Sequence, residues 1–187
     1  MRLFCAIALP EEARLRLLGL CHGLPGQRWV APENFHITLR FFGDLDGGQA
    51  RDLDDAFSRL QFNPLEIRLS EVGFFGKESR PRMLWAGVEK TPEISDLRRK
   101  IEHAAQSVGV RLDREKFTPH ITLCRFKNGP SAAFGGYLRA NNLFSHPPFI
   151  AESFGLYSSK LTPSGACYFL EADYPEPFYS WPETLDI

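Results

Sequence analysis

His36-Ile37-Thr38-Leu39 returns as His120-Ile121-Thr122-Leu123, 84 positions downstream, and a phenylalanine follows six residues after each histidine (Phe42, Phe126). In a β-strand successive side chains point to opposite faces, so His36 and Thr38 share one face while Ile37 and Leu39 share the other. Each copy therefore reads as a strand that anchors an apolar face in a core and offers an imidazole and a hydroxyl on the other side. Two copies in the same phase point to a duplicated unit whose lobes converge on one cleft. Two histidines across a small gap suit phosphoryl or acyl transfer, because one neutral ring accepts a proton while the other, charged, donates one. Threonine hydroxyls beside them bind phosphate oxygens or orient a water. A single copy would read as a half-buried strand histidine; the doubling favours chemistry. A metal site ranks last, since no carboxylate or cysteine stands at ligand spacing to either histidine and threonine is a poor zinc ligand.

The rest of the chain frames these strands as one mixed α and β domain over residues 1–187, with 43% hydrophobic and 24% charged residues. Strands are expected at Leu3–Leu9, His36–Phe42, Leu65–Val72, Met83–Val88, His120–Phe126, Phe149–Ser158 and Tyr168–Ala172. A helix begins at Pro10 and carries Leu17, Leu20 or Cys21, and Leu24 at helical spacing. Asp46, three residues before Gln49, caps a second helix with Ala50, Leu53, Phe57 and Leu60 on its apolar face. Thr91-Pro92-Glu93 opens a third, whose buried face is Ile94, Leu97, Ile101, Ala105 and Val108 before Gly109. Phe134-Gly135-Gly136-Tyr137 has neither the spacing nor the lysine of a triphosphate loop and reads as a turn. The Pro-rich segment after Tyr174 reads as irregular coil.

A formal charge of −1 argues against non-specific coating of nucleic acid, which draws on many excess Lys and Arg contacts to phosphates, so any such contact is expected to be a local site. No apolar run approaches the roughly 18 residues that span a bilayer, and the first residues are too short for a signal-peptide core, so a cytoplasmic protein is expected. The four cysteines (Cys5, Cys21, Cys124, Cys167) lack metal-ligand spacing and read as reduced thiols.

Nearly the whole chain resembles the two-histidine phosphoesterase superfamily, and within it the LigT-like RNA 2′,3′-cyclic phosphodiesterases, formerly called 2′-5′ RNA ligases. The resemblance is carried by Trp29 to Gly43 around the first motif and Phe117 to Arg125 around the second, with weaker support from Arg80 to Val88 and Leu156 to Leu161. It implies an α+β, bilobal, pseudo-two-fold fold of antiparallel sheets flanked by helices around a central cleft. It also implies that His36 is the proton donor and His120 the proton acceptor, with Thr38 and Thr122 as phosphate-binding hydroxyls. Arg125, five residues after His120, falls at the family's phosphate-binding arginine, whose fork of donors suits a phosphate gaining charge. Phe41 falls where a family aromatic stacks a nucleobase, yet simple alternation puts it on the face opposite His36 unless a bulge or bend intervenes.

The expected reaction opens a 2′,3′-cyclic phosphate at an RNA end to a 2′-phosphate, with no metal or cofactor and as a monomer; run backwards, it would join the ring to a 5′-hydroxyl. Alternatives are a phosphodiesterase for a small cyclic or 2′-5′-linked nucleotide and a non-catalytic module that binds RNA ends. Lys77, Arg80, Arg82, Arg111, Arg114, Lys116 and Lys160 are candidates for a basic rim, of which two or three are expected to serve. His22, His103, His146, Trp29, Trp85 and Trp181 read as incidental or as packing.

Overall fold

The computed structural model describes residues 1–127, 129–162 and 165–175. Two antiparallel sheets organise it. The first has the order β3-β1-β8-β9, built from β1 (Arg2–Ala8), β3 (His36–Asp44), β8 (Phe154–Thr162) and β9 (Gly165–Tyr174). The second has the order β2-β6-β5-β4-β7, built from β2 (Arg28–Trp29), β4 (Leu65–Lys77), β5 (Arg80–Val88), β6 (His120–Arg125) and β7 (Ser145–Ala151). The motif strands β3 and β6 pack beside each other where the lobes meet.

Helices α2 (Gly47–Ser58) and α3 (Pro92–Ser107) cover the first sheet: Phe57 of α2 packs on Phe42, Phe154 and Tyr174, and α3 packs against β3. Their starts follow the sequence. Asp46 Oδ1 accepts from the Gly48 and Gln49 amides at 2.8 and 2.9 Å while Gln49 Oε1 accepts from the Asp46 amide at 3.2 Å, a reciprocal capping box. Thr91 Oγ1 accepts from the Ile94 amide, and Pro92 takes the first position of α3. Ile94, Leu97, Ile101 and Ala105 are buried as the spacing predicts. Helix α4 (Phe134–Asn141) covers the second sheet, with Phe134 against Phe74 and Phe126, and the loop after α1 (Glu11–Leu18) meets it through Tyr137, whose hydroxyl donates to the Leu20 carbonyl at 2.8 Å.

Three expectations are corrected. Phe134-Gly135-Gly136-Tyr137 is the first turn of α4, not an isolated turn: burying Phe134 and Tyr137 against the sheet outweighs the helix cost of two glycines. Phe149 to Ser158 is two strands in different sheets. The chain leaves β7 at Ala151 and enters β8 at Phe154, and Ser153 Oγ donates to Asp173 Oδ2 at 2.9 Å in the crossover. Helix α1 stops at Leu18, so Leu20 and Leu24 are buried from the loop that follows. The segment after Pro175, including Trp181, lies outside the described residues. Among the described residues no helix is long and apolar enough to cross a membrane.

Candidate active site

Both motif strands carry the same irregularity. In β3, Thr38 lies opposite Ala6 and Arg40 opposite Cys5, so Leu39 is an extra residue; in β6, Thr122 lies opposite Trp85 and Cys124 opposite Leu84, so Leu123 is extra. A bulge resets the alternation downstream of it. The residue five places after each histidine therefore returns to the histidine's face: Phe41, opposite Phe4, and Arg125, opposite Met83. That is the condition alternation alone set for Phe41. Its ring lies 5.3 Å from Phe4, which in turn lies 5.1 Å from His36. As a result, His36, Thr38, Phe41, His120, Thr122 and Arg125 all line one cleft of about 580 Å³ between the lobes.

The imidazoles are held alike. His36 Nδ1 is 2.8 Å from the Asn34 carbonyl, and His120 Nδ1 is 2.8 Å from the Thr118 carbonyl, each two residues upstream. A carbonyl only accepts, so each Nδ1 carries the hydrogen of the neutral ring and each Nε2 is left as a proton acceptor. Each ring meets an aromatic edge-on: His36 with Tyr168 at 5.0 Å, His120 with Phe75 at 4.9 Å. Thr122 Oγ1 donates to Met83 Sδ at 3.3 Å.

Burial lowers both imidazoles' proton affinity. His36 falls from 6.5 to about 4, through burial first, partly offset by the Asn34 carbonyl, then through the charges of His120 and Arg125. His120 is also lowered, by burial and by Arg125, against the Thr118 carbonyl. Both rings are thus neutral at pH 7 until an anion enters, and an anion raises their affinity. Stability carries the same signature. Between pH 6.5 and 4 the unfolded chain binds a proton at His36 that the native state does not, so stability present above pH 6.5 is lost as pH falls toward 4, by about 3 kcal/mol. Urea midpoints of the wild type and His36→Gln across this range are expected to converge as pH falls; parallel curves would contradict the buried, neutral ring.

Beyond the motifs, the structure brings in residues with no local sequence signal. Tyr168 arrives from β9, and Phe75 from β4. Trp85, expected as packing, lies 6.4 Å from His120 and 5.5 Å from Phe75. It lies flat over Gly73, where a Cβ would fall 2.3 Å from the indole. Gly73→Ala is therefore expected to displace Trp85 and cost about 1–3 kcal/mol by overpacking; an unchanged urea midpoint and tryptophan emission would contradict this. Of the basic candidates, Arg82 and Lys116 line the cleft, while Lys77, Arg80, Arg111, Arg114 and Lys160 do not. His22, His103 and His146 also lie outside it. All four cysteines are free, and among the described residues no three His, Cys, Asp or Glu side chains converge as metal ligands.

Two antiparallel sheets that present paired His-x-Thr strands to one cleft define a two-histidine phosphoesterase. The chain belongs to the LigT-like phosphoesterase family, whose model matches residues 7–85 and 87–168, one motif in each segment. An RNA 2′,3′-cyclic phosphodiesterase of Archaeoglobus fulgidus is 31% identical over 90% of this chain and 96% of its own. One of Geobacillus stearothermophilus is 33% identical over 79% of this chain, which spans only half of that relative's length. The crystal structure of the Thermus thermophilus protein TT0787 superposes with a TM-score of 0.79 at 25% identity, covering 95% of this chain and all of that one.

Proposed function

We propose that this protein hydrolyses 2′,3′-cyclic phosphate ends of RNA, the substrate for which its A. fulgidus and G. stearothermophilus relatives are named, and opens the ring to a 2′-phosphate. One observation carries the reading: two imidazoles with Nδ1 tied to carbonyls leave two Nε2 atoms for a single cleft that also holds Arg125. Water attacks phosphorus in line with the 3′ oxygen. His120 Nε2 takes the water's proton, the new P–O bond forms as the P–O3′ bond breaks, and His36 Nε2 delivers a proton to the departing 3′ oxygen. The phosphate's own charge raises the proton affinity of His36, so the acid is charged only when substrate is present. Arg125 and the hydroxyls of Thr38 and Thr122 take up the charge that develops on the phosphoryl oxygens. Phe41, 51% exposed on the cleft face, offers a platform for the terminal base.

Incubation with an RNA ending in a 2′,3′-cyclic phosphate, in excess EDTA, is expected to convert it to the 2′-phosphate. A 3′-phosphate product would reverse the direction of opening. No turnover of RNA alongside turnover of a small cyclic or 2′-5′-linked nucleotide would replace the substrate.

A further inference from the structure

The two residues that the bulges return to the cleft differ in kind. Phe41 faces it from the first lobe and Arg125 from the second. Around Arg125 the second lobe gathers more cations. Arg28 of the edge strand β2 stands directly opposite Arg125 in the β2–β6 ladder. Val30, two residues beyond Arg28 and so on the same face, lines the cleft. On the other side of β6, Arg82 also lines the cleft, and its carbonyl accepts from the Phe126 amide just past Arg125. All three arginines are exposed. Among the described residues none of them forms an ion pair: the paired cations are Arg40, Arg68, Arg98, Arg99 and Lys100, elsewhere in the fold.

Like charges directly opposite on neighbouring strands destabilise a sheet. Nothing in β2 demands the arrangement, since the strand is held by its ladder and by Gln27 Nε2, which donates to the Gly129 carbonyl at 3.3 Å. In a chain of net charge −1, three guanidiniums on adjacent strands beside the cleft are a local concentration of charge with no ion-pair partner among the described residues. An anion between them would remove the repulsion, and guanidinium forks match phosphate oxygens. Cations on one wall and an exposed aromatic on the other are the two parts of a single-strand nucleic-acid site, one for the backbone and one for a base.

We propose that Arg28 and Arg82, on the strands either side of Arg125, form a phosphodiester-binding rim that continues from the reacting phosphate and holds the RNA strand leading into the cleft, so that the substrate is an RNA chain and not an isolated nucleotide. This deepens the cyclic-phosphate reading and rests on it for the identity of the reacting end. With the terminal base on the Phe41 side, the phosphates that precede it leave along β6 and β2.

Two measurements test the rim. The first is kcat/KM for an oligonucleotide with a 2′,3′-cyclic phosphate end relative to a nucleoside 2′,3′-cyclic monophosphate, in the wild type, Arg28→Ala and Arg82→Ala. The ratio is expected to favour the oligonucleotide and to fall about tenfold in each variant. The second is the Kd of that oligonucleotide, by fluorescence anisotropy, across a range of KCl concentrations. Each alanine variant is expected to flatten the slope of log K against log salt by about 0.7, one phosphate contact on a single strand, while Arg28→Lys keeps it. An unchanged ratio and unchanged slopes would overturn the rim even if both substrates are hydrolysed. If neither substrate turns over, the activity reading fails, and the salt slopes still decide whether the rim holds RNA.

Discussion

Replacing His36 or His120 by alanine is expected to lower kcat on a cyclic-phosphate RNA end by about 10²- to 10⁴-fold, or about 3–5 kcal/mol of barrier. Each ring occupies one step of the proposed proton transfer, and the carboxylate among the described cleft residues, Glu115, is engaged by Arg40 at 3.1 Å. The two losses are not additive: once either proton transfer is gone the other has little left to assist, so the double variant is expected to fall about as far as the worse single one. Neither side chain makes an ion pair, and each gives up one hydrogen bond to a local carbonyl, so both variants remain folded. A loss smaller than tenfold in a folded variant would remove that histidine from the chemistry.

Arg40→Met is expected to destabilise the fold by about 3 kcal/mol, the low end of the range for breaking a buried ion pair, because Glu115 keeps its access to water. Arg40 is only 3% exposed. It borders the cleft, and its guanidinium reaches α3 and the segment before β6. There its Nη1 meets Glu115 Oε2 at 3.1 Å and Glu102 Oε1 at 3.3 Å, and its Nη2 donates to the Asp113 carbonyl. Arg98 completes the group. It binds Glu102 at 2.8 Å, donates to the Glu115 carbonyl and lies over the Phe117 ring at 4.6 Å. The motif strand β3 is thereby clamped to residues 113–117, which lead directly to Thr118, the carbonyl partner of His120. Arg40→Met should therefore also lower kcat, with the sharper effect on the limb of the pH profile that belongs to His120. Lysine should not rescue it, because one ammonium cannot reproduce the guanidinium's three contacts. Urea unfolding measures the stability, and a change under about 1 kcal/mol would show that the clamp contributes little.

The motifs themselves pointed to the residues that line the cleft. The doubled His-x-Thr pattern needs only the period of a strand to place imidazole and hydroxyl on one face, and the resemblance named the same residues. The helix starts at Asp46 and Thr91 were equally legible, because capping is a local exchange between a side chain and amides two or three residues away. Contacts between distant elements left no local mark. The crossover at Glu152 and Ser153 divides what reads as one apolar run, and only the pairing partners show that its halves belong to different sheets. The glycine pair at 135–136 reads as a turn because the force that makes it helical is the packing of Phe134 and Tyr137 on a sheet assembled from elsewhere in the chain. The bulges at Leu39 and Leu123 are the instructive case. Alternation predicts that Phe41 and Arg125 point away from the histidines, and one extra residue in each strand reverses that. Arg28 carried no signal at all, since its importance lies in the residue across the ladder.

The proposed roles of His36 and His120, an acid and a base on one phosphate, are decided by the pH dependence of kcat and kcat/KM for the wild type and the two single alanine variants. The wild type should give a bell in kcat, each variant should lose one limb, and the alkaline limb of kcat should lie at higher pH than that of kcat/KM, because the bound phosphate raises proton affinities that burial lowers in the free protein. A kcat that stays flat from about pH 5 to 9, or the same bell in both variants, would contradict it.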